Sequence, residues 1–429
     1  MVPRAGMPSI AARTAAVLAV IVALAGCGSS GGGTTARRGF ATDASTPSRP
    51  GSCPATVLET LVRVAKRIYR EGISSERTAV AVHAITTSTA LREALAHGDA
   101  QGVRAAAQAL LASGRMTDLL IQRHGQVLAD LGAPNAVAPL RGTLTSASGA
   151  PIGSFVTSVW ADDGLIAETE GVTLGSLALR VGRSPLAVRS IAGSFALPPG
   201  NLPARGVLTE HGVEYRFSSF PARLYPSGGL RVYLLRSVRS TSPLCGRTEQ
   251  DTVVNTLTRV ARLIYDGETG GRALTQVDRV QSDPALLSAV ARRDRTATRG
   301  AVERLLNQHI VRLRVSAGGR LLSDVGGPYV LGPVHGSLRL GGREIGTLVL
   351  SIQDDEGYLR LTRRLVGLSV LMRMGSQLVK NSLGPAPSAV PASGSYRYHG
   401  RSFRVFTIAA TAFPAGPLQI QVLVPIPYT

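Results

Sequence analysis

Two paired carboxylates, Asp162-Asp163 and Asp354-Asp355, are the residues in this chain best suited to acid–base work or metal binding. The same positions also suit a helix N-terminus, where carboxylates complement the backbone dipole. Catalysis or metal binding would need further converging groups, so the helix start is the expected use. Seven histidines (His83, His97, His124, His211, His309, His335 and His399) are scattered along the chain. His211 and His399 each precede a glycine and read as hairpin turns, and of the seven only His335 lies beside the strands of the expected pocket. H-E-x-x-H and C-x-x-C are absent, and three separated cysteines do not make a zinc site. Neither lysine, Lys66 or Lys380, follows a glycine, which excludes a Walker A loop. Gly28-Ser29-Ser30-Gly31-Gly32 fits the letters of a nucleophile elbow but lacks the strand before it and the helix after it. The expectation is a protein that is not an enzyme, with no metal and no cofactor.

These residues sit in a duplicated frame. Val127 to Leu186 reads like Leu321 to Val379: Asp130 matches Asp324, Gly132 matches Gly326, Pro139 matches Pro333, and Gly153 matches Gly346. Asp162 then matches Asp355, and Arg180-x-Gly182 matches Arg373-x-Gly375. The copies lie about 194 residues apart, a period that sets the organisation of the whole chain.

Before the repeats, residues 1–26 read as an export signal. Arg4 and Arg13 precede a short apolar run, Thr14 to Ala25, too short for the roughly 20 residues that span a bilayer. Leu24-Ala25-Gly26-Cys27 resembles the bacterial lipobox. That resemblance implies a lipoprotein whose Cys27 carries diacylglycerol and palmitate, held on the extracytoplasmic face of the cell membrane. Residues 27–52 are rich in Gly, Ser, Thr and Pro and read as a flexible tether. The formal charge is +20, or +18 once Arg4 and Arg13 leave with the signal, and it is almost wholly arginine. Export, and the lack of basic stretches interleaved with aromatics, argue against nucleic acid as partner. An anionic membrane surface or wall polymer is the expected non-specific attraction.

Repeat 1 (53–243) and repeat 2 (244–429) each open on an amphipathic helix sharing Leu-x-Arg-Val-Ala-Lys/Arg-x-Ile-Tyr, at Leu61 to Tyr69 and Leu257 to Tyr265. Thr56-x-x-Glu59 and Thr248-x-x-Asp251 have the form of capping boxes. More helix is expected at Thr89 to Leu111 and Pro284 to Gln308, broken at Gly98-Asp99 and at Asp294. Strand hairpins follow around Gly125 and Gly318-Gly319, then strands from Pro139 and Pro333 and from Ile152 and Ile345. Helices at Asp162 to Thr173 and Asp354 to Val366 lead into strands Ser176 to Val181 and Ser369 to Met374, and a last long hairpin closes each copy. Each repeat is thus an α+β unit, with helices first and then a mostly antiparallel sheet. Asp162 with Arg180, and Asp355 with Arg373, are expected to form structural charged pairs.

The order of elements resembles the Cache family (PDC-type, PAS-like) of extracellular sensor domains. The matching residues are Gly319-Arg320-Leu321-Leu322, Pro333-Val334 and Gly342-Arg343-Glu344-Ile345-Gly346. Repeat 1 offers Gly125-Gln126-Val127-Leu128, Pro139-Leu140 and Gly149-Ala150-Pro151-Ile152-Gly153. The resemblance implies small-ligand binding between the sheet and its connecting segments. It also implies pairing through parallel N-terminal helices, which a tandem repeat would copy as an internal pseudo-dimer. With Cys27 lipidated, Cys53 and Cys245 remain, each just before the first helix of its repeat. In an oxidising compartment they are disulfide candidates, the alternative being an extended chain with both thiols free. Repeat 2, richer in polar and aromatic groups, is the expected binding copy, with Tyr329, His335, Asp355, Tyr358 and Arg373 lining a cavity for a small organic acid or amino acid. The chain ends with its second repeat, so signalling would require a neighbouring membrane kinase or transporter. The alternative expectation is a structural scaffold of the cell envelope.

Overall fold

The structure, a computed structural model, describes residues 52–428 except 134, 183, 190–196, 199, 307, 308, 329, 386 and 388; of 184–189 it describes the backbone alone. Cys27 and Tyr329 therefore lie outside the described residues. The first repeat starts with four helices: α1 (Cys53–Ser74), α2 (Glu76–Thr87), α3 (Thr89–His97) and α4 (Ala100–Ala112). Then come β1 (Asp118–Arg123), β2 (Gln126–Gly132), β3 (Ala136–Val137), β4 (Leu140–Thr145), β5 (Pro151–Ser158), β6 (Trp160–Ala161) and α5 (Asp162–Thr173). Strands β7 (Ser176–Val181), β8 (Ser184–Arg189), β9 (Arg205–Glu210), β10 (Val213–Leu224) and β11 (Gly228–Ser237) complete it. A short helix α6 (Val238–Thr241) and one turn of 3-10 helix lead to Cys245.

The second repeat follows the same order. Its helices are α7 (Glu249–Gly267), α8 (Gly271–Gln281), α9 (Pro284–Ala291) and α10 (Arg295–Leu306). Its middle is β12 (Arg312–Ala317), β13 (Arg320–Gly326), β14 (Val330–Leu331), β15 (Val334–Leu340), β16 (Arg343–Ser351), β17 (Gln353–Asp354) and α11 (Asp355–Val366). It ends with β18 (Ser369–Met374), β19 (Gln377–Asn381), β20 (Gly394–Tyr398), β21 (Arg401–Ala412) and β22 (Gly416–Ile426).

Each repeat builds two antiparallel sheets where the sequence suggests one. The smaller, β2-β1-β5-β4 or β13-β12-β16-β15, carries helices α2–α4 or α8–α10 on one face over its own apolar core. The larger, β6-β3-β10-β11-β7-β8 with β9 on β10, or its copy in repeat 2, packs against the long helices. The split is hard to see in sequence because β3 and β14 are two residues long and redirect the chain from one sheet to the other. Helices α2 and α8 also escape the pattern. The first is rich in Thr and Val and starts on Ser75, whose hydroxyl accepts from Thr78 N at 3.2 Å. The second follows two glycines that read as linker.

Capping differs between the copies. Thr248 and Asp251 form the capping box, Asp251 N donating to Thr248 Oγ1 at 3.1 Å and Thr248 N to Asp251 Oδ2 at 3.3 Å. Thr56 does not cap. It lies inside α1, because Pro54 in the first turn lets the helix begin at Cys53, with Ser52 as its N-cap.

The apolar stripes of α1 and α7 meet. Leu61, Val64, Ala65 and Ile68 share one buried cluster with Leu257, Val260, Ala261 and Ile264, with α5 and α11, and with both larger sheets. The result is a sheet–helix–sheet sandwich in which two repeats own a single central core. Thr56 to Arg63 of α1 and Glu249 to Val254 of α7 flank one groove, so the helices start side by side. Cys53 and Cys245 are joined there as a disulfide, with Cα atoms 5.5 Å apart. Polar bonds also cross between repeats: Arg63 Nη1 donates to the Tyr428 carbonyl at 2.6 Å, and Arg364 pairs with Glu71. In both repeats the tyrosine of the shared helix motif fixes the sheet beneath it. Tyr69 Oη accepts from Arg223 N at 2.8 Å, and Tyr265 Oη from Thr411 N at 2.9 Å.

One pair of equivalent positions carries opposite charge. In repeat 2, Arg312 grips Asp324 with two bonds of 2.9 and 3.1 Å and lies 4.6 Å over the Phe413 ring. In repeat 1 the position of Arg312 is Asp118, 2% exposed, with Oδ2 unpartnered and Asp130 nearby. Tyr225 Oη donates to Asp130 at 3.1 Å. Burial, with Asp130 adding to it against a hydrogen bond from Thr117, raises the Asp118 carboxyl from 3.8 to about 6.

Two predictions follow from these features. Replacing both Cys53 and Cys245 by serine opens a covalent loop of 192 residues, which in the chain-entropy account costs up to about 5 kcal/mol. Denaturant unfolding with and without reductant measures this; a wild type indifferent to reductant contradicts it. For Asp118 the folded state holds a proton that the unfolded state releases between pH 4 and 6. Stability therefore falls as pH rises through that window and stays reduced above it. Asp118→Asn removes the loss and gains roughly 3 kcal/mol at pH 7.5, at about 1.4 kcal/mol per pH unit. Urea unfolding at pH 4.5 and 7.5 gives the comparison, and a variant less stable than wild type at pH 7.5 contradicts the assignment.

Candidate functional site

The residues singled out from sequence do not converge. His335 is exposed on β15, opposite Val349 in the smaller sheet. Asp355 opens α11 beneath the larger sheet. Tyr358 is wholly buried at the joint of α11 and α7, its hydroxyl donating to the Ala261 carbonyl at 3.0 Å and its ring meeting Tyr265 edge-on. It holds the sandwich together and has no free face for a ligand. Arg373 donates to Gln421 Oε1 at 3.0 Å and to the Ser376 carbonyl at 3.2 Å. It forms no ion pair with Asp355, so the expected charged pair is absent from repeat 2; Arg180 in repeat 1 donates to the Pro198 carbonyl at 3.1 Å. The cavity beside Asp355, walled by Val330, Leu331, Met372, Met374 and Leu418, measures about 10 Å³. That is room for a single water at most and none for a metabolite.

The aspartate pairs sit at helix starts. Asp354 caps α11, its side chain accepting from Gly357 N at 2.6 Å. Asp162 and Asp163 accept from the next backbone N–H at 2.9 and 2.7 Å. Among the described residues no group of three or more His, Cys, Asp or Glu is placed to hold a metal ion.

The copies differ most where the smaller sheet joins the central core. In repeat 1 that junction is plugged by Trp160, the chain's one tryptophan, packed against both the small-sheet core and the central core. Gly72 makes room for it: a Cβ there would sit 2.8 Å from Trp160 Cδ1 and 2.7 Å from the Ala138 side chain. Register places Gln353 of β17 at the position of Trp160, since Leu331 pairs with Gln353 as Val137 pairs with Trp160. By the same alignment Glu268 replaces Gly72 and Gly332 replaces Ala138. Repeat 2 therefore has a pocket of about 400 Å³ at this junction, lined by Glu268, Arg272, Thr275, Gln276, His309 and Gln353, with Ile352 beside them.

The pocket is open to solvent at Arg272, Thr275 and His309, which are exposed, and reaches inward to a buried carboxylate. Glu268, the C-cap residue just after α7, is 3% exposed. Among the described residues no hydrogen bond or ion pair engages its carboxylate. Burial raises its pKa; Arg272, in the first turn of α8, opposes that and Glu168 of α5 reinforces it. The Gln276 side-chain oxygen is buried without a partner. Buried polar groups left without bonds cost free energy, and they persist where another group completes them. The pocket has the size and the mixed lining of small-molecule sites. None of these residues except His309 drew notice in the sequence. The signal available there was the aligned triple change of Gly72, Ala138 and Trp160 to Glu268, Gly332 and Gln353.

No protein-family model matches the chain, and no curated protein matches it in sequence. Several solved structures are similar to part of it. The Vibrio cholerae LuxQ periplasmic domain is 13% identical over 44% of this chain and 98% of that one, at a TM-score of 0.25. The ligand-binding domain of the Pseudomonas fluorescens chemoreceptor CtaA, solved with L-alanine, is 11% identical over 44% and 98%, at 0.27. The ligand-binding domain of the Campylobacter jejuni chemoreceptor Tlp3, solved with 4-methylisoleucine, is 10% identical over 45% and 95%, at 0.24. At these values the similarity carries no ligand and no activity over to this chain.

Proposed function

We propose that this protein is an exported, lipid-anchored, non-enzymatic binding protein in which repeat 2 takes a small polar ligand and repeat 1 is its closed copy. One observation carries the reading: the same junction is filled by Trp160 against Gly72 in repeat 1 and left as a pocket of about 400 Å³ beside Glu268 in repeat 2. A pair of copies kept only for strength would have its two cores bridged alike. The paired helices suit a sensing or delivery role, since a ligand between the small sheet and α7 sits where the small sheet meets the central core. The export-signal pattern at residues 1–26 and the lipobox resemblance at Cys27 support an anchor at the outer face of the cell membrane, where a neighbouring kinase or transporter would receive the signal or ligand. The scaffold reading has its own support in the sealed Asp355 cavity and the single shared core.

Two outcomes test this. Cys27→Ser leaves the protein unacylated and releases it from membranes on fractionation; retention of the variant together with an unlabelled wild type contradicts the anchor. For binding, Glu268→Gly with Gln353→Trp copies repeat 1 into repeat 2 and closes the pocket. A thermal-shift screen of amines, amino acids and organic acids on wild type finds ligands that at 100 times Kd stabilise by about 2.7 kcal/mol. The folded double variant shows no shift with them. Ligands that stabilise both proteins equally, or no ligand at all, favour the scaffold.

A further inference from the structure

Taking the junction pocket of repeat 2 as the binding site, as proposed above, we infer that its ligand carries a small ammonium group, which sits on the Glu268 carboxylate and the Gln276 side-chain oxygen. Both are acceptors without donors. Glu268 is 3% exposed with no hydrogen bond or ion pair among the described residues, and the Gln276 oxygen is buried and unpartnered. A carboxylate can only accept, and so can an amide oxygen, so the missing group is a donor with several hydrogens. A neutral hydroxyl supplies one hydrogen and leaves the buried charge uncompensated; an ammonium supplies three and the opposite charge.

The surrounding charge points the same way. In a chain of formal charge +20, no arginine among the described residues reaches Glu268 within ion-pair distance. Arg272 lies exposed at the start of α8 and Glu168 acts from α5 of repeat 1, leaving the carboxylates in excess. Thr275, His309 and Gln353 occupy the rest of the lining and suit a second, hydrogen-bonding end of the ligand. A divalent metal fits poorly, since no third acidic or histidine ligand joins the cluster among the described residues.

A buried, unpaired carboxylate lowers the stability of the empty protein, and burial raises its pKa in keeping with that. This separates a binding role from a structural one. Glu268→Gln keeps the shape and removes the charge. The ligand-free variant should melt higher than wild type at pH 7, whereas loss of a structural carboxylate would make it melt lower. Methylamine, ethanolamine and putrescine are the ammonium probes, with ethylene glycol as neutral control and acetate and succinate as anionic controls. Thermal shift and calorimetry on the full chain should show binding by at least one amine, weakened at least tenfold by Glu268→Gln and absent from the pocket-closed double variant. Binding confined to neutral or anionic compounds, blocked in the double variant but untouched by Glu268→Gln, overturns the ammonium assignment while leaving the pocket as the site. A Glu268→Gln protein that melts lower and binds every probe as wild type does also overturns it. Binding unaffected by either variant, or absent throughout, overturns the pocket reading and this inference with it.

Discussion

The packing of α1 against α7 is the constraint on which the rest of the structure depends. Each helix buries part of its apolar stripe against its own sheet and part against the other helix, in one shared cluster. A side chain of leucine size contributes roughly 1.5–3 kcal/mol when buried, so the row from Val57 to Ile68, facing Leu257 to Ile264, is a large share of a domain's net stability. Once those helices lie side by side, their first residues lie close enough for Cys53 and Cys245 to join. The larger sheets then close over the two outer faces, and the small sheets are carried at the far ends of the helices. The repeat is thus a covalent dimer of itself, with one central core and two peripheral ones.

That arrangement frees one copy to change. The central core needs α1, α7, α5 and α11 from both repeats, and the residues there are held to apolar types in both. The junctions with the small sheets lie outside this demand. In repeat 1 a tryptophan bridges the two cores; in repeat 2 a glutamate, a glutamine and a glycine stand in the same places and a pocket opens beside them. A buried carboxylate without a partner is a cost to folding, and functional sites are where such costs are kept. The Asp118 carboxyl in repeat 1 is a second such cost, at a position where repeat 2 has an arginine pair.

How far the sequence revealed this varied with the kind of feature. Long periodic elements were legible: the stripe of α1, the capping box of α7, and strands Ser176 to Val181 and Ser369 to Met374 stand where their residues indicate. The duplication was legible too, because paired glycines and aspartates at fixed spacing leave little alternative. The division into two sheets per repeat was not, since it turns on two-residue strands with no pattern of their own. The candidate residues do not gather around one cavity for a related reason. Polar and aromatic differences between the copies stand out along α11 and β15, but Tyr358 faces the helix layer, His335 faces solvent and Arg373 is spent on Gln421. A one-dimensional comparison shows which residues differ, and only packing shows that Glu268, Gln276 and Gln353, far apart in sequence, line one space.

The central claim is that ligand binding belongs to the junction of repeat 2 and to no other place in the molecule. A crystal structure grown with the compound that gives the largest thermal shift tests it most directly. The account predicts ligand density between Glu268 and Gln353, with Trp160 still filling the matching place in repeat 1. Density beside His335 or Asp355, or a ligand seated in repeat 1, would contradict it.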